Sequence, residues 1–240
     1  MRRLRENVIT APLKPLSQST TQNFPRIDDS PDRKFTYRYA QPEAYHFCQD
    51  SILFPLFVAT RVRSAGASPA SALDLCAGCG VIGFELAHHL SSVATCDFVE
   101  IQDVFRPYFE RNLEITGRSA NDFRFLQTNY VTLLTPEYAD RYDVIVANPP
   151  YFFPNEGKLS PSEVKNRCRF FLDSDLQTLL RVILHALKLK GEAYLLAKPG
   201  EKHGRDSIGE ISSFVAELGA TCEIVADIRG TYALLLTKQL

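Results

Sequence analysis

Long apolar runs are missing from this chain of 240 residues. None approaches the roughly 18 residues that a membrane span requires, so no membrane association is expected. The opening Met1-Arg2-Arg3-Leu4-Arg5-Glu6-Asn7 leads into no apolar stretch, which speaks against a secretory signal. Excess charge is missing too: the net charge is −1. The protein is no polycation, and a nucleic-acid partner would have to be held by a local basic patch. Cysteine is sparse. Six scattered residues fit free, mostly buried thiols in a reducing compartment, the cytoplasm, better than a disulfide scaffold. Cys76 and Cys79 form one C-x-x-C that follows a strand and opens a helix, as in a thiol oxidoreductase. Glycines surround it, however, and no second pair exists to complete a zinc site. His88-His89 opens no metal motif, and no internal repeat is present. No metal is expected.

What is present is a core and a pattern. Hydrophobic residues make up 45% of the chain, enough for a substantial interior. Residues 1–34 stand apart: polar, rich in Pro, Ser and Thr, and carrying Arg2, Arg3, Arg5, Lys14, Arg26, Arg33 and Lys34. They read as an extended or disordered basic arm, with 35–240 as the folded domain. An amphipathic helix is expected from Asp50 to about Arg63, with Pro55 a candidate kink. Strands follow at Ala72–Cys76, Ala94–Val99, Asp122–Leu126, Asp143–Ala147, Ala193–Ala197, Cys222–Val225 and Tyr232–Thr237. Helical spacings lie between them at Val81–Leu90, Val104–Leu113, Leu176–Leu187 and Ile208–Leu218. Asp173 or Ser174 is the expected cap of the third of these, and Gly191 its expected stop. Phe152–Leu172 reads as a long polar segment.

Alternating strands and helices give an α/β, doubly wound, mostly parallel seven-stranded sheet with helices on both faces. Only a short turn around Arg229-Gly230 separates the last two strands, too short for a crossover, so the last strand is expected to insert antiparallel. Ligands bind at strand carboxyl ends in such sheets. Three features fall there. The first is the turn Asp74-x-x-Ala77-Gly78-Cys79-Gly80, a glycine cradle at a helix N-terminus. The second is Glu100, an acid able to hold both hydroxyls of a ribose. The first two are shared with dinucleotide enzymes, but the turn lacks their G-x-G-x-x-G and has an acid before it. Asp74 could instead reach an ammonium group through water.

The third feature is Asn148-Pro149-Pro150-Tyr151. The prolines supply no N–H and hold the residues before them extended. The turn thus presents a side-chain amide, bare carbonyls and an aromatic ring. An amino group conjugated to a ring or carbonyl is a poor nucleophile because its lone pair is delocalised. The Asn148 side-chain oxygen and the Pro149 carbonyl could accept its two hydrogens and favour a pyramidal nitrogen, while Tyr151 stacks on the flat substrate. By itself the tetrapeptide reads equally well as a rigid strand end with a core tyrosine.

Together these motifs resemble the class I S-adenosylmethionine-dependent methyltransferases. Asp74–Gly80 resembles their first motif, Glu100 their second, and Asn148-Pro149-Pro150-Tyr151 the signature of enzymes acting on adenine N6 or glutamine N5. The stretch Gln41-Pro42, Tyr45-His46-Phe47 and Asp50-Ser51-Ile52-Leu53, with Phe152 and the basic segment through Arg167, is similar to the bacterial tRNA (valine) adenine-N6 methyltransferases. The resemblance runs from about Phe35 to the C-terminus. Two positions depart from that pattern: Asn129 stands where an acid is frequent, and Arg169 where a glutamate is common.

The resemblance implies S-adenosyl-L-methionine as cofactor, held by Asp50, Asp74, Cys76, Ala77, Gly78, Cys79, Gly80, Glu100, Ile101, Asn129, Tyr130 and Asn148. It implies catalysis by Asn148, Pro149, Pro150 and Tyr151. Phe152, Phe153, Lys158, Lys165, Arg167 and Arg169 are the expected contacts to an RNA, tRNA before others, with the chain acting as a monomer. A target base would leave its stack or sit in a loop. The alternatives are a release-factor glutamine N5-methyltransferase, a ribosomal-RNA guanine-N2 methyltransferase, and a subunit that binds cofactor or RNA without catalysis.

Overall fold

The computed structural model describes residues 24–28, 36–154, 156–199, 201–202 and 205–239. Its strands are, in chain order, β1 (Arg26–Ile27), β2 (Ser71–Leu75), β3 (Thr95–Glu100), β4 (Phe123–Gln127), β5 (Tyr142–Ala147), β6 (Leu187–Ala197), β7 (Glu201–Lys202), β8 (Arg205–Asp206), β9 (Ala220–Ile228) and β10 (Thr231–Lys238). Its helices are α1 (Asp50–Ser64), α2 (Val81–His89), α3 (Arg106–Thr116), α4 (Glu163–Arg169), α5 (Leu176–Ala186) and α6 (Ser207–Glu217).

The β-branched run of β5 is almost wholly withdrawn from solvent from Val144 to Ala147, as a strand covered on both faces must be. It sits near the middle of an eight-stranded sheet of order β1-β9-β10-β6-β5-β2-β3-β4. Strands β6, β5, β2, β3 and β4 are parallel. Strand β10 pairs antiparallel with both β6 and β9. The last strand therefore inserts as its short turn requires. The sheet has one strand more than expected. Arg26 and Ile27, inside the stretch read as an arm, pair in parallel with Asp227 and Ile228. Residues 1–23 and 29–34 of that arm lie outside the described residues. Strands β7 and β8 form a separate two-stranded ribbon.

Two apolar cores flank the sheet. On one face α1, α2 and α3 bury Phe54, Val58, Phe84 and Phe109 against Phe98, Phe123 and Val146. On the other, α5 and α6 bury Leu179, Leu180, Ile183 and Val215 against Leu73, Ile145 and Leu195. Helix α1 runs unbroken through Pro55. Among the described residues no helix is long and apolar enough to cross a membrane.

Two local expectations are corrected. Asp175, not Asp173 or Ser174, caps α5, its Oδ1 accepting from the Thr178 N–H at 2.7 Å. Gly191 does not stop that helix. The helix ends at Ala186, β6 begins at once, and Gly191 lies inside the strand. A Cβ there would stand 2.9 Å from the Asp143 carbonyl oxygen and 2.7 Å from Leu187 Cδ1, so the close approach of two backbones explains the glycine. The polar segment 152–172 contains α4.

Candidate active site

Strands β2, β3 and β5 end side by side, with Leu75 opposite both Val99 and Ala147. The chain must turn at each end, and the three turns meet at one cavity of about 1050 Å³, its open mouth included.

After β2 the backbone enters the left-handed region at three of five residues: Cys76 (φ 59°), Gly78 (φ 54°) and Gly80 (φ 84°). The turn is tied to its neighbour by the Ala77 N–H, which donates to the Val99 carbonyl at 3.0 Å. At Gly80 a Cβ would stand 2.8 Å from both Phe109 and Phe84, so this glycine serves helix packing and does not reach the cavity. Cys76 has no such freedom. A non-glycine residue held there costs about 1–2 kcal/mol, a strain invisible in the sequence, where the position looks like the end of a strand.

Glu100 ends β3 and is 7% exposed. Its Oε2 accepts from the Gly78 N–H at 2.9 Å and its Oε1 from the Gln102 N–H at 2.8 Å. Burial pushes its carboxyl above its ordinary value, against the opposite pull of those N–H groups. The Ile101 N–H pulls the same way, the carboxyl still has lone-pair capacity beyond these donors, and the residue lines the cavity. Asp74 does not line it. It is fully buried under α2, with Oδ2 accepting from the Gly83 N–H at 2.8 Å and Oδ1 without a hydrogen-bond partner. Burial pushes its pKa up to about 8.

A strap of residues 36–49 closes one side of the cavity. Thr36 and Tyr39 donate to the two carboxylate oxygens of buried Glu85, each at 2.8 Å. The Asn112 Nδ2 joins the strap to the glycine turn, donating to the Ala40 and Cys79 carbonyls at 3.0 and 2.9 Å. This brings Tyr45, Phe47 and Cys48 onto the wall. From the sequence, Tyr45 and Phe47 enter only through a family resemblance, and Phe105, another wall residue, only as part of a helical stripe. Contacts between segments 72 residues apart leave no local pattern.

Of the other expected cofactor residues, Ala77, Gly78, Cys79, Ile101, Asn129, Tyr130 and Asn148 line the cavity along with Cys76. Asn129 is already engaged: its Oδ1 accepts from the Val131 N–H at 3.0 Å and its Nδ2 donates to the Asp173 carbonyl at 2.8 Å. Asp50 is not on the wall. Its Oδ1 stands 3.3 Å from Arg229 Nη1. Burial pushes the Cys79 thiol up to about 12 and Cys76 well above its ordinary value. That opposes the thiolate a thiol oxidoreductase needs. All six cysteines are free.

At the end of β5, Asn148 and Pro150 line the cavity, whereas Pro149 and Tyr151 do not. Tyr151 packs into the α1–α3 core, and its hydroxyl donates to Asn148 Oδ1 at 2.5 Å. Phe152 and Phe153 also pack on protein. Phe152 bridges Phe170, while the Phe153 ring stacks on Phe171 at 5.2 Å. Arg167 reaches the cavity, held by Glu163 at 3.5 Å and Asp173 at 3.3 Å. The Arg169 guanidinium stands 5.7 Å from the Phe152 ring. Lys158 and Lys165 are exposed and do not line the cavity.

These residues fit S-adenosylmethionine. A buried carboxylate with spare lone pairs faces the cavity where hydroxyls would be read. Gly78 leaves open the space of a side chain, since a Cβ there would meet nothing nearer than 3.9 Å. The walls given by Phe47, Phe105 and Ile101 suit a flat ring.

No family model matches the chain. Over 199 residues it is 26% identical to ribosomal protein uL3 glutamine methyltransferases of two Neisseria meningitidis strains, covering 75% of this chain. The chain spans about 61% of the length of those curated relatives. Its fold matches the crystal structure of a ribosomal protein L11 methylase from Lactobacillus delbrueckii subsp. bulgaricus, with TM-score 0.56, 14% identity and coverage of 83% of this chain and 84% of that one. It also matches a SAM-dependent methyltransferase from Agrobacterium tumefaciens, with TM-score 0.54, 16% identity and coverage of 79% and 62%. The mostly parallel sheet with an antiparallel β10 is the fold of the S-adenosylmethionine-dependent methyltransferases.

Proposed function

We propose that this chain is an N-methyltransferase that uses S-adenosylmethionine to methylate an exocyclic amino group, adenine N6 of an RNA, tRNA before others. The reading rests on one observation: Asn148 shares a cavity with Gly78 and Glu100. An acceptor for N–H groups therefore stands beside a cradle fit for the cofactor. The bound cofactor supplies an electrophilic methyl group on a sulfonium. Glu100 and the Gly78 turn hold it, and Asn148 Oδ1 accepts from the target amino group, aiming the nitrogen lone pair along one line. When bound, the cofactor would give its methyl group to that nitrogen and leave as a neutral thioether that keeps the S–CH₃ electron pair, and the extra proton on nitrogen would pass to water. No thiol is needed as a nucleophile.

Lys158, Lys165 and Arg169, in the segment beyond the Asn148 turn, are suited to RNA phosphates. The free thiols fit a cytoplasmic setting, and the chain acts as a monomer. A second reading, methylation of a protein glutamine, is favoured by the uL3 glutamine methyltransferase relatives. The glutamine side-chain amide is also flat, and its nitrogen is equally in need of an acceptor. Incubating the protein with labelled cofactor and, in parallel, tRNA, ribosomal RNA, ribosomal proteins and release factor decides between them. Label in tRNA adenine supports the first reading. Label in protein glutamine replaces it with the second, and label in guanine overturns both.

Glu100→Ala removes the ribose acceptor. It is expected to weaken S-adenosylhomocysteine binding by about 1.5–3 kcal/mol, the worth of hydrogen bonds to a charged group. Calorimetry measures this, and unchanged affinity removes Glu100 from the site.

A further inference from the structure

Tyr151 is expected from the sequence to stack on substrate, yet its ring is turned into the protein and its hydroxyl lies against Asn148. The Lys198 ammonium stands 5.5 Å from the centroid of that ring. Lys198 follows β6 directly, and its Nζ donates to Thr231 Oγ1 at 2.5 Å. Thr231 is fully buried at the start of β10. Contacts thus run from β10 through Lys198 and Tyr151 to the amide at the end of β5. Neither Lys198 nor Thr231 lines the cavity.

A carboxamide is nearly symmetric in shape but not in chemistry. One end accepts and the other donates. Flipped by half a turn, Asn148 would face a target amino group donor to donor. A partner that only donates removes that freedom. A phenol can both donate and accept, but a cation over its ring draws electron density away and favours donation. The Oδ1 of Asn148 has two lone pairs. The Tyr151 hydroxyl takes one and leaves the second for substrate.

We propose that Tyr151, through its hydroxyl, and Lys198, through the Tyr151 ring, are positioning residues that lock the Asn148 amide with its oxygen as the acceptor. The proposal deepens the methyl-transfer reading and rests on it for its kinetic test. Tyr151→Phe and Lys198→Met are each expected to lower kcat about tenfold, as for one hydrogen bond of ordinary net worth, with the KM for cofactor unchanged. Lys198→Arg keeps a cation over the ring and recovers most of the Lys198→Met loss. Adding Tyr151→Phe to Asn148→Ala lowers the rate no further, because both act on one group. Wild-type kcat in Tyr151→Phe overturns the proposal, as does a full additional tenfold drop in the double variant.

A second measurement needs no acceptor. The Asn148 side-chain NH₂ resonances, identified by their loss in Asn148→Ala, should shift in Tyr151→Phe and in Lys198→Met. If the wild-type protein labels none of the acceptor pools, the functional reading fails on its own. Resonances that stay in place then overturn the positioning proposal, and resonances that move support it.

Discussion

Replacing Asn148 with Ala is expected to lower turnover by roughly 10²–10³-fold, the loss seen when one preorganised polar contact is removed from a reacting centre. The fold gives reasons for so local an effect. Asn148 follows the last residue of β5, and two prolines hold the backbone beyond it whatever side chain it carries. The cofactor cradle depends on other bonds, those from Glu100 to Gly78 and from Ala77 to Val99. Single-turnover rates should therefore collapse while S-adenosylhomocysteine affinity, read by calorimetry, changes little. Near-normal turnover on the labelled acceptor would remove Asn148 from the chemistry and leave the turn a rigid strand end.

The largest expected loss of stability comes from Phe98. This β3 residue is fully buried, with ring centroids 4.9 Å from Phe84, 4.8 Å from Phe109 and 6.2 Å from Phe123. Its Cε1 would lie only 2.4 Å from a Cβ built on Gly83, so it sets how closely α2 approaches the sheet. Phe98→Ala should cost about 3–5 kcal/mol, a large share of the roughly 5–15 kcal/mol that holds an ordinary domain together. Urea unfolding measures it directly. A loss under about 1 kcal/mol would mean that the neighbouring rings close over the gap, against the partial relaxation usual for such sites.

Much of the sheet was legible because a strand buried on both faces must be an apolar run, and Val144–Ala147 and Ala193–Ala197 are such runs. Gly191 looks like a helix stop because two periodicities overlap there. Leu187 continues the helical spacing set by Ile183 and Leu184 on α5, yet belongs to β6. The cap of α5 is not legible in the sequence, because Asp173, Ser174 and Asp175 are three consecutive residues able to accept from a helix N-terminus, and only backbone geometry chooses among them. Strand β1 has two residues, too few for any alternation to show. At the candidate site, the strand-end positions of Gly78, Glu100 and Asn148 could be read from the sequence. The direction of Tyr151 could not, because a rotamer is settled by neighbours such as Lys198 that lie far along the chain.

The pairing of Leu75 with Ala147 has an architectural consequence. The glycine turn and the Asn148 turn leave two adjacent strands at the same rung of one hydrogen-bonded ladder, whose strands lie about 4.7–4.9 Å apart. Loop motion cannot alter that spacing, so the reach between cradle and amide is built like the jaws of a fixed-gap gauge. A new acceptor can be admitted only by reshaping what surrounds the jaws, chiefly the segment around α4. Grafting that segment between proteins of this fold should therefore exchange the choice of acceptor while leaving the cofactor cradle in place.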